Sequence, residues 1–291
     1  MSYPGNSAFL SVGSRESTPY RGVFINLTEN ERRRNALAAN LSAAGIGSWY
    51  TQFPAIDGRA EAANFPTKLD PGALGLWLTH EKIVEEFRDG TEHLHILEDD
   101  IVVASDAKRL FPMALQSADQ NLGDWDLIFT ETFVPFELFE TYRQLMQKFD
   151  AKGQFSYLDL TSVYASSMTS FFLNRRSIDK YAKLINGKWS IGFPIDIYVR
   201  QLLRKRELRA FVTVPFLSSI SAENNQSSIR GEIDMSRRVC DVFRRGFFVG
   251  ADLNELVKEM RGLTQDTAAS PLMQLYLSGY AFSRSDKYVD F

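Results

Sequence analysis

Three consecutive carboxylates, Glu98-Asp99-Asp100, close a largely apolar run that begins at Leu94. In an extended chain, alternation places Glu98 and Asp100 on one side and Asp99 on the other. A buried sheet tolerates a bare carboxylate on neither side, because desolvating an unpaired charge is very costly. The carboxyl end of a strand removes the conflict. Open α/β sheets bind ligands at that edge, and a divalent cation there would neutralise the acids. Magnesium or manganese takes one or two protein carboxylates and fills its shell with phosphate oxygens, which suits a nucleotide diphosphate. A solvated turn, with one acid capping the next segment, explains the run alone equally well.

The elements that must position these acids are legible on both sides. Gly22-Val23-Phe24-Ile25-Asn26-Leu27 has the apolar, β-branched pattern of a buried parallel strand. Thr28 stands three residues before Glu31, a capping-box pattern, and the helix it predicts runs through Leu37 and Leu41 to Gly45. Trp49 to Ile56 reads as a second strand, closed by Asp57-Gly58. Asp70-Pro71 opens a helix whose Leu74, Trp77, Leu78, Ile83 and Phe87 recur at helical spacing. His93 to Val103 follows as one strand carrying the acids. Further strands are expected at Trp125–Thr130, within Val163–Leu173 and at Leu208–Phe216, with helices at Arg176–Ile185 and Ile195–Leu203. Helical pieces follow at Asp241–Val249 and Leu253–Leu263, and the tail from Tyr276 is rich in tyrosine and phenylalanine. Strands alternating with helices predict an α/β, Rossmann-like, mostly parallel sheet flanked by helices, with a helical C-terminal extension. The expected organisation is a flexible arm over 1–20, the main domain over 21–235 and the extension over 236–291.

The composition is that of an ordinary globular protein. It has 291 residues, 44% hydrophobic and 24% charged, with 22 phenylalanines and a formal net charge of -3. That balance gives no support to nucleic acid as a partner. The single cysteine, Cys240, excludes an intrachain disulfide framework and any multi-cysteine metal site. Neither a membrane span nor a secretory signal is legible, so a cytoplasmic location is the simplest expectation.

Taken in order, Ile25-Asn26-Leu27, Arg33-Arg34, Ala55-Ile56-Asp57-Gly58, Gly72-Ala73-Leu74-Gly75, Thr79-His80 and Ile96-Leu97-Glu98-Asp99-Asp100 resemble glycosyltransferase family 25. This family comprises the lipooligosaccharide and lipopolysaccharide sugar transferases related to the procollagen galactosyltransferases. The likeness is close over 22–103 and thinner at Pro194-Ile195-Asp196 and the strand leading to Pro215. It implies a GT-A-type fold, an inverting transfer from a UDP-sugar (galactose above all) to a glycan or lipid-linked oligosaccharide acceptor, and Mn2+ or Mg2+. Asp100 would then bind the metal. Glu98 or Asp99 would contact the ribose or a water of the metal shell, and the stretch from Asn26 and Leu27 to Arg33 would lie near base and phosphates. The sequence departs from the family pattern at Ala73, Leu76 and Thr79, where glutamate, cysteine and serine are usual. It also has Ser167-Met168-Thr169 in place of Gly-Thr-His, and no late histidine. Asn224, Asn225, Gln226 or water would have to complete a metal shell.

An inverting transfer needs a base for the acceptor hydroxyl. Asp196, at a loop-to-helix junction after Pro194, is the candidate, and a helix-capping role is the alternative. His80 would reach donor phosphate or order the acids; the alternative is a structural partner inside the protein. Gly72 and Gly75 permit close backbone approach to the donor, with a helix start as the alternative for Gly72. His93 and His95 read as non-ligands, one of them packed. The basic and aromatic residues Arg237-Arg238 and Arg244-Arg245-Gly246-Phe247-Phe248 suit a solvated helix face beside a buried aromatic pair better than peripheral membrane contact. Two other functions compete: a catalytically lapsed nucleotide-sugar-binding protein, and a nucleotidyltransferase. The latter would want glycine and lysine after the first strand, which Thr28 to Arg34 lacks.

Overall fold

The computed structural model describes residues 19–161, 163, 167–221 and 235–264. Residues 1–18 of the arm expected over 1–20, the candidates Asn224, Asn225 and Gln226, and the tail from Tyr276 lie outside them, whereas Tyr20 already begins the first strand. The strands are β1 (Tyr20–Asn26), β2 (Tyr50–Pro54), β3 (His93–Glu98), β4 (Ile101–Val103), β5 (Leu127–Phe129), β6 (Ser156–Asp159), β7 (Ser170–Leu173), β8 (Ala210–Val214) and β9 (Ser218–Ile220). The helices are α1 (Glu31–Ala43), α2 (Gly58–Glu61), α3 (Pro71–Glu86), α4 (Ala107–Asn121), α5 (Phe139–Lys152), α6 (Ile178–Ile185), α7 (Ile195–Arg204), α8 (Met235–Gly246) and α9 (Leu253–Thr264).

Among the described residues the central sheet has seven strands in the order β2-β1-β3-β7-β5-β8-β6. Strand β1 is parallel to β2 and β3, and β5 to β8, whereas β7 and β6 run against their neighbours. The fold is therefore α/β with a mostly parallel, Rossmann-like sheet. From β1 the chain leaves through α1 to β2 on one side, then returns through α3 to β3 on the other. With the right-handed crossovers such units take, α1 and α3 cover opposite faces. The adjacent carboxyl ends of β1 and β3, in register at Ile25 and Glu98, form a topological switch point.

Each face is sealed by large side chains. On one, Trp77 of α3 is fully buried, donates from Nε1 to the Ile185 carbonyl at 3.3 Å and lies 5.3 Å from the Tyr198 ring. On the other, Phe111 of α4 meets Tyr20, His95 and Phe172 edge-on. Helix α3 begins as its sequence dictates: Asp70 caps it, accepting from the Ala73 amide at 3.1 Å, with Pro71 in the first turn. Gly75 and Gly58 let this helix approach the segment after β2. A methyl group on Gly75 would lie 2.3 Å from the Ile56 carbonyl oxygen.

Two local expectations change. The segment 93–103 is two strands, because the chain turns at Asp99-Asp100 and β4 leaves the main sheet to pair antiparallel with β9. Helix α1 is capped by Asn30, whose Oδ1 accepts from the Arg33 amide at 3.4 Å, and not by Thr28. Helix α8 packs into the core: Val239, Val242 and Phe243, with Phe247 just after the helix, are buried, and the Phe243 and Phe247 rings meet Phe139 of α5 at a tilt. No helix among the described residues is long and apolar enough to cross a membrane.

A candidate active site at the carboxyl edge of the sheet

At the switch point the chain gathers acids from separate elements. Asp99, in the turn after β3, is fixed from β1 and α1: Asn26 Nδ2 donates to its Oδ2 at 2.7 Å, and Arg33 Nη1 to its Oδ1 at 3.2 Å. Asn26 is itself buried and also donates to the Asn30 carbonyl at 3.1 Å, which ties the end of β1 to the start of α1. The Arg33–Asp99 pair is 19% and 13% exposed, sheltered enough to be more than a surface contact. Leu27 is half-buried beside them, and its carbonyl closes the turn by accepting from the Asn30 amide at 2.8 Å.

Asp100 is left differently. Its backbone carbonyl accepts from the Ser221 amide at 2.7 Å, but its carboxylate Oδ1 is buried with no hydrogen-bond partner. Desolvation, then the charge of Asp99, pushes this carboxyl above the ordinary aspartate value, while Arg33 and Arg244 pull it back. Glu98 is pushed well above the usual glutamate range, first by desolvation and then by Asp100, Asp99, Glu131 and Asp196. Five carboxylates thus share one neighbourhood. Asp196 reaches it from the first turn of α7, where its Oδ1 also accepts from the Ile197 amide at 2.9 Å. It lines a small recess with Thr132, Ser167 and Arg200.

Neither a protein-family model nor a curated protein matches the chain. The chemistry is therefore argued from the site alone. Asn26, Arg33, Glu98, Asp99, Asp100 and Asp196 come together; His80 and Gly75 belong to the layer beneath. The His80 ring is fully buried, stacked on Phe171 at 5.8 Å, and neither nitrogen has a partner; burial lowers its pKa to about 4. His95 stacks on Phe172 at 3.9 Å and hydrogen-bonds Tyr50, and His93 stacks on Trp125, so both of these histidines are packed.

Sequence reasoning missed Glu131 and misread Arg244. Glu131, just past β5, is completely buried and accepts from Ser167 Oγ at 2.7 Å, from Thr169 Oγ1, and from Arg244 through Nε at 2.8 Å and through Nη2. Arg244 is not on a solvated face. Burial disfavours its charge, but Glu131, Asp241 and Asp100 outweigh that and hold the guanidinium above its ordinary value. An acid at a strand's carboxyl end, the signal that singled out Glu98–Asp100, was present in Thr130-Glu131-Thr132 too.

A divalent cation fits this site in one mode. The unpartnered Asp100 oxygen and the surplus of acid suit a hard cation bound through one or two carboxylates and completed by ligand oxygens. They do not suit an all-protein cage: among the described residues no three His, Cys, Asp or Glu side chains group as such a cage requires.

Proposed function

We propose that this chain is an inverting glycosyltransferase of GT-A type, moving a hexose, galactose foremost, from a UDP-sugar to a hydroxyl of a glycan acceptor. The observation that carries the reading is the unpartnered buried oxygen of Asp100 at the switch point, beside a carboxylate held rigid by Asn26 and Arg33. A soluble turn would leave no acid so buried and so poorly served. The resemblance of 22–103 to glycosyltransferase family 25 supplies the substrate class. Surface-glycan assembly on the cytoplasmic side of a membrane is the setting it favours.

In this reading Asp100, backed by Glu98, would hold Mn2+ or Mg2+, which would offset charge on the departing diphosphate. Asn26 and Arg33 orient the acidic turn so that Asp100 meets the ligand rather than solvent. Asp196 takes the proton of the acceptor hydroxyl as that oxygen bonds to the anomeric carbon and the bond to the diphosphate breaks. Glu98, half-buried beside Asp100 at the end of β3, would contact the donor or a water of the metal shell.

A thermal-shift screen of nucleotide sugars with and without Mn2+ tests the reading. A ligand at 100 times its Kd stabilises by about 2.7 kcal/mol. UDP-galactose should raise the melting temperature only with metal, and Asp100→Ala should abolish both that shift and transfer. A shift indifferent to metal and to Asp100 would sink the site. Binding without turnover on any acceptor would move the protein to the lapsed-binder class. Asp196→Asn should bind donor normally and lose transfer; full turnover would remove it as base.

A further inference from the structure

We propose that Glu131 and Arg244 form a positioning pair of the active site, through which α8 fixes the acidic edge. This inference rests on the glycosyltransferase reading and names residues that the reading does not use. Glu131 is saturated from two directions. Its Oε1 takes the hydroxyls of Ser167 and Thr169, and its Oε2 takes two donors from Arg244. Arg244 also donates from Nη2 to Ser167 Oγ at 3.3 Å, closing a ring of three side chains. The ring is mechanically connected to the acids, because the Thr169 carbonyl accepts from the Glu98 amide at 2.7 Å. Beyond Thr169 the tie is repeated: Thr130 donates its amide to the Ser170 carbonyl at 3.1 Å, and its hydroxyl bonds those of Ser170 and Ser218. Ser218 lies in β9, whose partner β4 begins immediately after Asp100.

Both ends of the acidic turn are thus held by one network. Glu98 is held through Thr169, and the exit from Asp100 through β9. Arg244 is the component that comes from outside the sheet. Its aromatic neighbours Phe243 and Phe247 anchor α8 against α5, so the guanidinium is delivered by packing rather than by a flexible stem. Ser167 and Thr169 stand where the resembled family has Gly-Thr-His, so in this chain hydroxyls that ligate Glu131 occupy that position.

The test separates positioning from mere stability. In Glu131→Gln, the buried guanidinium loses its hydrogen-bonded carboxylate and keeps only the longer ion pair with Asp241 at 3.7 Å, and the melting temperature should fall. In the double variant Glu131→Gln with Arg244→Met neither charge is stranded, so the melting temperature should recover. Its kcat should nevertheless stay about 100-fold down, since a displacement of about 1 Å at the reacting centre has that effect. KM for UDP-galactose should change by less than kcat, and Arg244→Lys, which keeps charge without the fork, should recover only part of kcat. A double variant with wild-type melting temperature and wild-type kcat overturns the positioning role while leaving the glycosyltransferase reading intact. Wild-type protein that turns over no nucleotide sugar overturns both.

Discussion

His80 provides a quantitative test of how the layer beneath the site is built. Its imidazole is fully buried against Phe171, both nitrogens lack partners, and burial draws its pKa down from 6.5 to about 4. Between those two values the unfolded chain holds a proton that the native protein refuses, so stability falls as pH falls. Through the linkage relation, the loss assigned to His80 is roughly 0.2 kcal/mol at pH 7, about 2 kcal/mol at pH 5, and levels off near 3 kcal/mol below pH 4. His80→Leu keeps a comparable volume and removes the titration. Urea melts of both proteins in half-unit steps from pH 7 to pH 5 should show the variant gaining roughly 2 kcal/mol on the parent. Taking the difference cancels the packing cost of the substitution and the titrations of His93, His95, Glu98 and Asp100. Parallel stability curves would refute the buried neutral imidazole. A large rise in donor KM in the variant would show instead that the ring serves the ligand.

Asp100→Asn should stabilise the protein by roughly 1–2 kcal/mol while abolishing transfer, because it discharges a buried, partnerless oxygen that binding alone justifies; a lowered melting temperature in scanning calorimetry would contradict this. Gly75→Ala should cost about 1–3 kcal/mol, because its methyl group meets backbone that cannot swing aside. An unchanged urea midpoint would mean that α3 does not lie so close to the Ile56 carbonyl.

What the sequence revealed depended on how local the determining forces were. Strand β1 and helix α3 were legible because each carries its own pattern: the apolar run of 22–27, and Asp70-Pro71 followed by Leu74, Trp77 and Leu78. The acidic turn was visible as chemistry but not as a break in the strand. What ends β3 at Glu98 is the pairing of β4 with β9, more than a hundred residues later. Arg244 looked solvated for the same reason. A basic pair on a helix looks the same whether it meets water or a carboxylate 113 residues upstream. Glu131 stood alone between two threonines, with no neighbouring acid to call attention to it. Its importance exists only once Ser167, Thr169 and Arg244 surround it. Asp196 was placed by its proline and its helix start, but which acids it faces was a matter of topology.

The separation between Glu131 and Arg244 has a consequence for how the protein is made. At ribosomal speeds of about 5–20 residues per second, a gap of 113 residues means that the acid emerges roughly 6–23 s before its guanidinium. During that interval the strands preceding α8 can assemble, yet Glu131 lacks the counter-charge that secures it. The growing chain therefore carries an unfinished edge until its late aromatic helix docks. A product released before α8, from a truncated message or a stalled ribosome, would lack the Arg244 partner of Glu131 and display that edge to proteases. Helix α8 acts in this sense as a completion check on the acidic edge, which the sheet that bears the acids does not finish by itself.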